Sequence, residues 1–219
     1  MTGGTGPGTS NAPGTGGLPI VDVAGVDPPA RHRVGGVVLA AGESRRYGGR
    51  NKLLVPVGQF PMVRRSTATL LRADLDPVVA VLGHQAGRVR GGLDGLGITC
   101  VLNDAYARGQ GHSIAAGVRA VAHRVDALVI ALGDMPDVEP ATVDAIVTAY
   151  ETGAGTAIAP VHDGHRGNPV LFDATHFEAL KRLDGDRGAR RILLEGDTSV
   201  LVAVDDPGVR RDIDRPEDH

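Results

Sequence analysis

A run of small and cationic residues stands out first: Ala40-Ala41-Gly42-Glu43-Ser44-Arg45-Arg46-Tyr47-Gly48-Gly49-Arg50-Asn51-Lys52. Gly42, Gly48 and Gly49 permit backbone angles closed to other residues, so the chain can curl with its amide N–H groups pointing inward. Arg45, Arg46 and Lys52 would edge that concavity with positive charge, making it a seat for a polyphosphate. The competing reading is a solvated basic loop. Of the 23 Lys and Arg residues only Lys52 and Lys181 are lysines, and a compact ammonium can approach a phosphate oxygen where a planar guanidinium does not fit. The pattern is neither the Gly-x-x-x-x-Gly-Lys-Ser/Thr phosphate loop nor the Gly-x-Gly-x-x-Gly dinucleotide turn.

Carboxylates come next. Asp134, in Gly133-Asp134-Met135-Pro136, can hold a divalent cation, since Mg²⁺ commonly takes one or two protein carboxylates and fills its other positions with water and substrate phosphates. It can equally be a turn residue bonded to its own backbone. Near the C-terminus Asp212 and Asp214 alternate; on a strand they would point to opposite faces, so only one would reach a site. The polar stretch Asn103 to Ser113 leads into a helix whose start can accept an anion or a ring carbonyl, although Ser113 can also be a plain helix cap. His112 lacks a matched partner for a metal or a triad. Arg187 and Arg190, in Gly185-Asp186-Arg187-Gly188-Ala189-Arg190, either face an anionic substrate or pair on the surface.

These residues need elements to position them. Residues 34–40, 77–82, 98–102, 126–132, 156–161, 169–172 and 199–204 are short apolar runs of buried-strand type. Helical spacing from Met62, around 85–93, from Ile114 to Ala122, from Pro140, and near 174–183 and 187–195 separates them. Strand–helix alternation with near-continuous apolar strands predicts an α/β fold, a single three-layer α/β/α domain around a mostly parallel, Rossmann-like sheet. In such sheets ligands bind beyond the carboxyl ends of the strands, which would bring the 41–52, 103–113 and 133–136 segments to one edge. Residues 1–31, rich in Gly, Thr and Pro, predict a disordered tail outside a domain of residues 32–219, with Leu18-Pro19-Ile20-Val21 as a patch that could pack locally.

Composition excludes several classes. A net charge of −3 with few aromatics and no Trp argues against a nucleic-acid surface. A lone Cys100 rules out an internal disulfide or a multi-cysteine zinc site. No apolar run is long enough to span a bilayer, and no secretory signal is evident, so a cytoplasmic protein without membrane partners is expected.

Together, Leu39-Ala-Ala-Gly-Glu-Ser-Arg-Arg-Tyr-Gly, Asn51-Lys-Leu-Leu, Gly133-Asp-Met-Pro, Gly167-Asn-Pro-Val-Leu-Phe, Gly185-Asp-Arg-Gly-Ala-Arg and Asp212-Ile-Asp-Arg-Pro-Glu-Asp resemble the molybdenum cofactor nucleotidyltransferases. The likeness is greatest to the cytidylyltransferases, which carry a MobA-like domain of the nucleotide-diphospho-sugar transferase type. That resemblance implies a nucleotide site on Leu39, Ala40, Ala41, Gly42, Ser44, Arg45 and Lys52, with Asn103, Gly109 and Ser113 around the base. It implies catalytic roles for Arg46, Lys52 and Asp134, and Mg²⁺ on Asp134 and Asp214, with Asp212 in reserve. It also implies CTP as donor, on the strength of Ala41 where guanylyl-transferring relatives carry Gly. The acceptor would be a phosphorylated small molecule, molybdopterin first, near His112, Asn168 and Arg187, with a molybdoenzyme or maturation factor as protein partner. Tyr47, Asn168 and His112 depart from the family pattern. Another NTP, a sugar or other metabolite phosphate as acceptor, or a non-catalytic nucleotide-binding module stay open as alternatives.

Overall fold

A computed structural model of the protein describes residues 14–29, 31–48, 50–186 and 188–218. The strands are β1 (Ile20–Val21), β2 (Val34–Ala40), β3 (Pro56–Val57), β4 (Phe60–Pro61), β5 (Val78–Leu82), β6 (Thr99–Leu102), β7 (Ala127–Leu132), β8 (Ala157–His162), β9 (His165–Arg166), β10 (Val170–Asp173) and β11 (Ser199–Ala203). The helices are α1 (Met62–Arg72), α2 (Ala86–Gly92), α3 (Gln110–Val121), α4 (Pro140–Glu151), α5 (Phe177–Lys181) and α6 (Arg190–Glu195). Among the described residues the central sheet runs β1-β11-β8-β10-β7-β2-β5-β6, with β9 paired to β8 and β3-β4 a separate hairpin. Along that path only β10 is antiparallel to its neighbours. The predicted three-layer, mostly parallel α/β/α architecture is what the chain adopts.

Strand side chains alternate between two cores, because successive residues of a strand point to opposite faces. Val38, Val129 and Ile158 pack with Leu70 of α1, Val89 of α2 and Ile146 of α4 on one face. Val37, Leu128 and Ile130 pack with Ile114 and Val118 of α3, Leu180 of α5 and Leu193 of α6 on the other. The apolar runs read as near-continuous because both faces are covered. No helix among the described residues is long and apolar enough to cross a membrane.

The N-terminal segment departs from expectation. Ile20 and Val21, placed by sequence in a tail, pair in parallel with Leu201 and Val202. Leu201 N–H donates to the Pro19 carbonyl at 2.8 Å, and Leu18 is buried in the second core. A two-residue edge strand needs only a few ladder bonds and one buried leucine, a signal that Gly- and Pro-rich flanks hide. Residues 1–13 lie outside the described residues. Deleting residues 1–23 should therefore lower the unfolding free energy by about 2 kcal/mol, the scale of burying one leucine. A urea midpoint that does not move would show that Leu18 and the edge strand add nothing.

Candidate active site

The carboxyl ends of β2, β5 and β7 meet at one edge of the sheet, where β2 lies between the other two. The chain leaves β2 at Ala40 and turns through Ser44, a left-handed residue at φ 54°. Its hydroxyl accepts from the Lys52 backbone N–H at 3.1 Å, closing the predicted curl. Tyr47 is no ligand. It is buried with Met62 and Ile213 in a small third core that pins the loop to the domain. Asn51 caps the turn that follows, accepting from Leu53 N–H at 3.1 Å, while Leu53 is buried. These anchors aim Lys52 back across the sheet edge.

Lys52 Nζ lies 2.6 Å from Asp134 Oδ2 and 2.6 Å from Asp214 Oδ1. Its side chain is 12 % exposed, so most of its charge faces these two carboxylates. Arg46 reaches the other oxygen of Asp214 at 2.5 Å. Asp134 sits at the end of β7, where Gly133 N–H donates to the Leu39 carbonyl at 3.0 Å. A Cβ at Gly133 would come within 2.9 Å of that oxygen, so only glycine allows the approach. Residues 211–214 are not the strand expected, yet only one of the two C-terminal aspartates faces the site. Ile213 is buried, and its N–H donates to the Asp134 carbonyl at 3.0 Å, which delivers Asp214 to Lys52. Asp212 lines a separate hollow with Asn168 and Arg210.

The electrostatics follow from this geometry. The hydrogen bond from Lys52 holds the Asp214 carboxyl below the ordinary carboxylate range, against the opposing effect of its partial burial. Burial alone would lower the Lys52 pKa, but the charges and hydrogen bonds of Asp134 and Asp214 outweigh it and raise the ammonium above its ordinary value. Two hard oxygen donors converging on one point suit a small divalent cation completed by water and phosphate oxygens. Among the described residues no cluster of three or more His, Cys, Asp or Glu offers a closed cage.

Ala41, Gly42, Ser44, Arg45 and Lys52 line one side of a cleft of about 310 Å³, with Gly109, Gln110 and Ser113 opposite and Asp134 at its end. Asn103 stands behind that wall and donates from Nδ2 to Ser113 Oγ at 3.0 Å, and no described residue accepts the Ser113 hydroxyl proton. Gly109 adopts φ 118°, and a Cβ there would lie 2.3 Å from the Gly185 backbone. The two loops are in direct contact, with Gly111 N–H donating to the Gly185 carbonyl at 2.8 Å. Leu39 also lines the cleft, whereas Ala40 is buried behind it and Arg46 reaches in only through Asp214. Arg45 is paired with Glu43 at 2.6 Å. Glu43, Tyr106, Gln110 and Asp186 join the lining without having been singled out from sequence. All four lie within or beside the polar segments already quoted, but spacing does not say which side chains face in.

The expected acceptor residues fare differently. His112 turns away from the cleft, with Nε2 2.7 Å from Asp184 Oδ1. Asn168 lines an adjoining hollow. Arg187 lies outside the described residues.

A family model described as the MobA-like NTP transferase domain matches residues 36–212. The chain belongs to the MobA-like NTP transferase family. It is 34 % identical over 200 residues to the purine catabolism protein PucB of Bacillus subtilis, covering 84 % of this chain and 93 % of that one. It is 32 % identical over 193 residues to nicotine blue oxidoreductase of Paenarthrobacter nicotinovorans, with 84 % and 93 % coverage. Among solved structures, Rv0371c of Mycobacterium tuberculosis superposes with a TM-score of 0.77 at 30 % identity, over 86 % of this chain and 96 % of that one. The same protein solved in complex with manganese gives 0.72 at 29 % identity, with 85 % and 95 % coverage. The chain is thus a nucleotidyltransferase by family, as its motifs imply, and the sheet edge described above is its candidate nucleotide site.

The Lys52 bridge has a pH signature. Asp214, with its pKa depressed in the folded state, lends stability that is complete above about pH 4, the unfolded value. That stability fades as pH falls through its lowered folded value. Lys52→Met should therefore destabilise the protein at pH 7 far more than near pH 2, and raise the Asp214 titration seen by carboxyl NMR. Equal effects on the urea midpoint at both pH values would contradict the coupling.

Proposed function

We propose that the protein transfers CMP from CTP to a phosphorylated acceptor, molybdopterin first among candidates, and releases pyrophosphate. The observation that carries this reading is Lys52 spanning Asp134 and Asp214 at the end of a cleft walled by the Gly42–Ser44 backbone. A terminal phosphate oxygen of the acceptor attacks the α-phosphorus of CTP, the new P–O bond forms as the bond to the β-phosphate oxygen breaks, and the pyrophosphate leaves with that electron pair. No covalent enzyme intermediate is required; positioning and charge neutralisation carry the chemistry.

Each residue then has a task. The amides of the Ala41–Ser44 curl and the Arg46 guanidinium hold the departing phosphates. Asp134 and Asp214 would hold Mg²⁺, which when bound neutralises phosphate charge in the transition state. The manganese complex of Rv0371c, a relative at 29 % identity, supports a divalent metal in this fold. Lys52, released from the carboxylates, turns its ammonium to the triphosphate. Ser113, with its hydroxyl proton free, and the Gly109 backbone face the base, while Ala41 narrows the pocket beside them. A cytoplasmic setting and delivery of the product to a molybdoenzyme or maturation factor go with this reading.

The name of the nicotine blue oxidoreductase relative makes hydride transfer the second reading. Against it, Ala40-Ala41-Gly42-Glu43-Ser44 lacks the glycine spacing of a dinucleotide turn. Incubation with NADH or NADPH and a panel of quinonoid acceptors should show no nucleotide oxidation above the buffer control.

Two substitutions test the transfer reading. Asp134→Ala should reduce pyrophosphate release from CTP and acceptor by at least ~10²-fold, the scale of losing a key transition-state contact, with the fold intact by circular dichroism. A parent enzyme that binds CTP but turns over no acceptor would instead indicate a non-catalytic binding module. Ala41→Gly should lower the preference for CTP over GTP in kcat/KM by about 10-fold, the worth of one methyl group in a pocket. An unchanged ratio would remove Ala41 from base selection.

A further inference from the structure

Beside the nucleotide cleft, and sharing Leu39, Gln110 and Leu132 with it, lies a hollow of about 180 Å³. Its floor is apolar, built from Ile130 of β7 and Val170 and Phe172 of β10. Arg166 and Arg190 stand on its walls. Several arginines near the site are answered by acids: Arg45 by Glu43, Arg46 by Asp214, Arg211 by Asp137. Arg166 and Arg190 are not. Neither guanidinium has an ion pair or hydrogen bond to any described residue. Asp212 lines the hollow on the other side of Arg166 without pairing with it.

Two unpaired cations sharing one small cavity repel each other and would be separated unless something held them there. Burial, and then the like charge of Arg190, lower the Arg166 pKa from the ordinary arginine value, so the two charges act on each other. The backbone keeps Arg166 in place. It ends the β8–β9 hairpin, and directly after it Gly167 N–H donates to the Pro160 carbonyl at 2.8 Å and Asn168 N–H to the Val209 carbonyl at 2.9 Å. Arg190, exposed on α6, lines the same hollow from a separate element.

We propose that Arg166 and Arg190 form the clamp for the acceptor's phosphate monoester, whose organic part lies on the apolar floor of this hollow. The proposal rests on the transfer reading above, since it gives the attacking phosphate its seat next to the nucleotide. A dianionic phosphate would answer both charges, and planar guanidinium groups bind phosphate oxygens in bidentate fashion. The oxygens not held by the arginines would be free to face the α-phosphorus across Leu39 and Leu132. The hollow thereby favours a compact, flat or apolar phosphate ester over a polar sugar phosphate, which would leave hydroxyl groups unpaired against Ile130, Val170 and Phe172.

Phenyl phosphate is the probe, titrated into the full chain and followed by the amide NMR signals of Val170, Phe172 and Gly188, with phenol as the uncharged control. Saturable shifts are expected with phenyl phosphate and none with phenol. Arg166→Gln and Arg190→Gln should each weaken binding at least 10-fold. Arg190 is exposed, so its variant keeps the test valid if the Arg166 variant folds poorly. In turnover, both variants should raise the acceptor KM at least 10-fold and leave the CTP KM unchanged. Binding that is equal in parent and variants, or shifts confined to Gly42 and Ser44, overturns the clamp. Should the probe bind as expected while no acceptor receives CMP, the clamp stands and the transfer reading fails. Should CMP transfer proceed with acceptor KM unchanged in both variants, the transfer reading stands and the clamp falls.

Discussion

One ammonium group organises the functional edge of this protein. Lys52 Nζ sits 2.6 Å from each of two carboxylates that arrive from strand β7 and from the C-terminal segment. Two aspartates aimed at the same point repel each other, and the arrangement persists only while a cation stands between them. In the structure that cation is Lys52, with Arg46 bracing the outer oxygen of Asp214. The same requirement makes the pair receptive to a divalent metal, because the site is already built for positive charge at that position. The ion pair seen here and the metal site proposed above would be two uses of one arrangement.

The bridge depends on packing more than on its own strength. Partly exposed ion pairs contribute little stability by themselves. What keeps residues 52, 134 and 214 together is the parallel pairing of β2 with β7 and the burial of Ile213 against Tyr47 and Met62. The Ile213 N–H bond to the Asp134 carbonyl then sets the spacing between the two carboxylates. Tyr47, which departs from the family pattern, is therefore a buried support for the 41–52 loop. The opposite wall depends on a different contact, the close approach of Gly109 to Gly185. That contact ties the loop expected to surround the base to the segment leading to Arg190, so the nucleotide cleft and the adjoining hollow share a wall.

Much of this was legible in the residues. The order of the main strands and helices could be read because β2, β5, β7, β8, β10 and β11 are apolar on both faces and the long helices keep a stripe of core residues, Leu70 and Val63 on α1 or Ile114 and Val118 on α3. The short β3–β4 hairpin and β9 carry no such run. The glycine–arginine–lysine loop and the Gly133-Asp134 turn announce themselves because nothing in core packing calls for such residues at strand ends. The N-terminal edge strand was not legible, since Ile20 and Val21 gain their partners only from β11, some 180 residues later. His112 was misplaced for a similar reason: helix α3 turns it toward Asp184, on a loop whose position no local pattern encodes.

Sequence by itself determined the class of fold, because that rests on hydrophobic run length, and it singled out the 41–52 loop and Asp134 as candidates through glycine freedom and charge. Tertiary structure alone decided that Asp214, not Asp212, meets Lys52, because burial of Ile213 sets which neighbour turns inward. It also brought the uncompensated Arg166 and Arg190 to one cavity from separate elements. Pairings of that kind depend on which strands become neighbours in the sheet, and the order β8-β10-β7-β2 is set by the joint burial of two cores that no single stretch of chain contains.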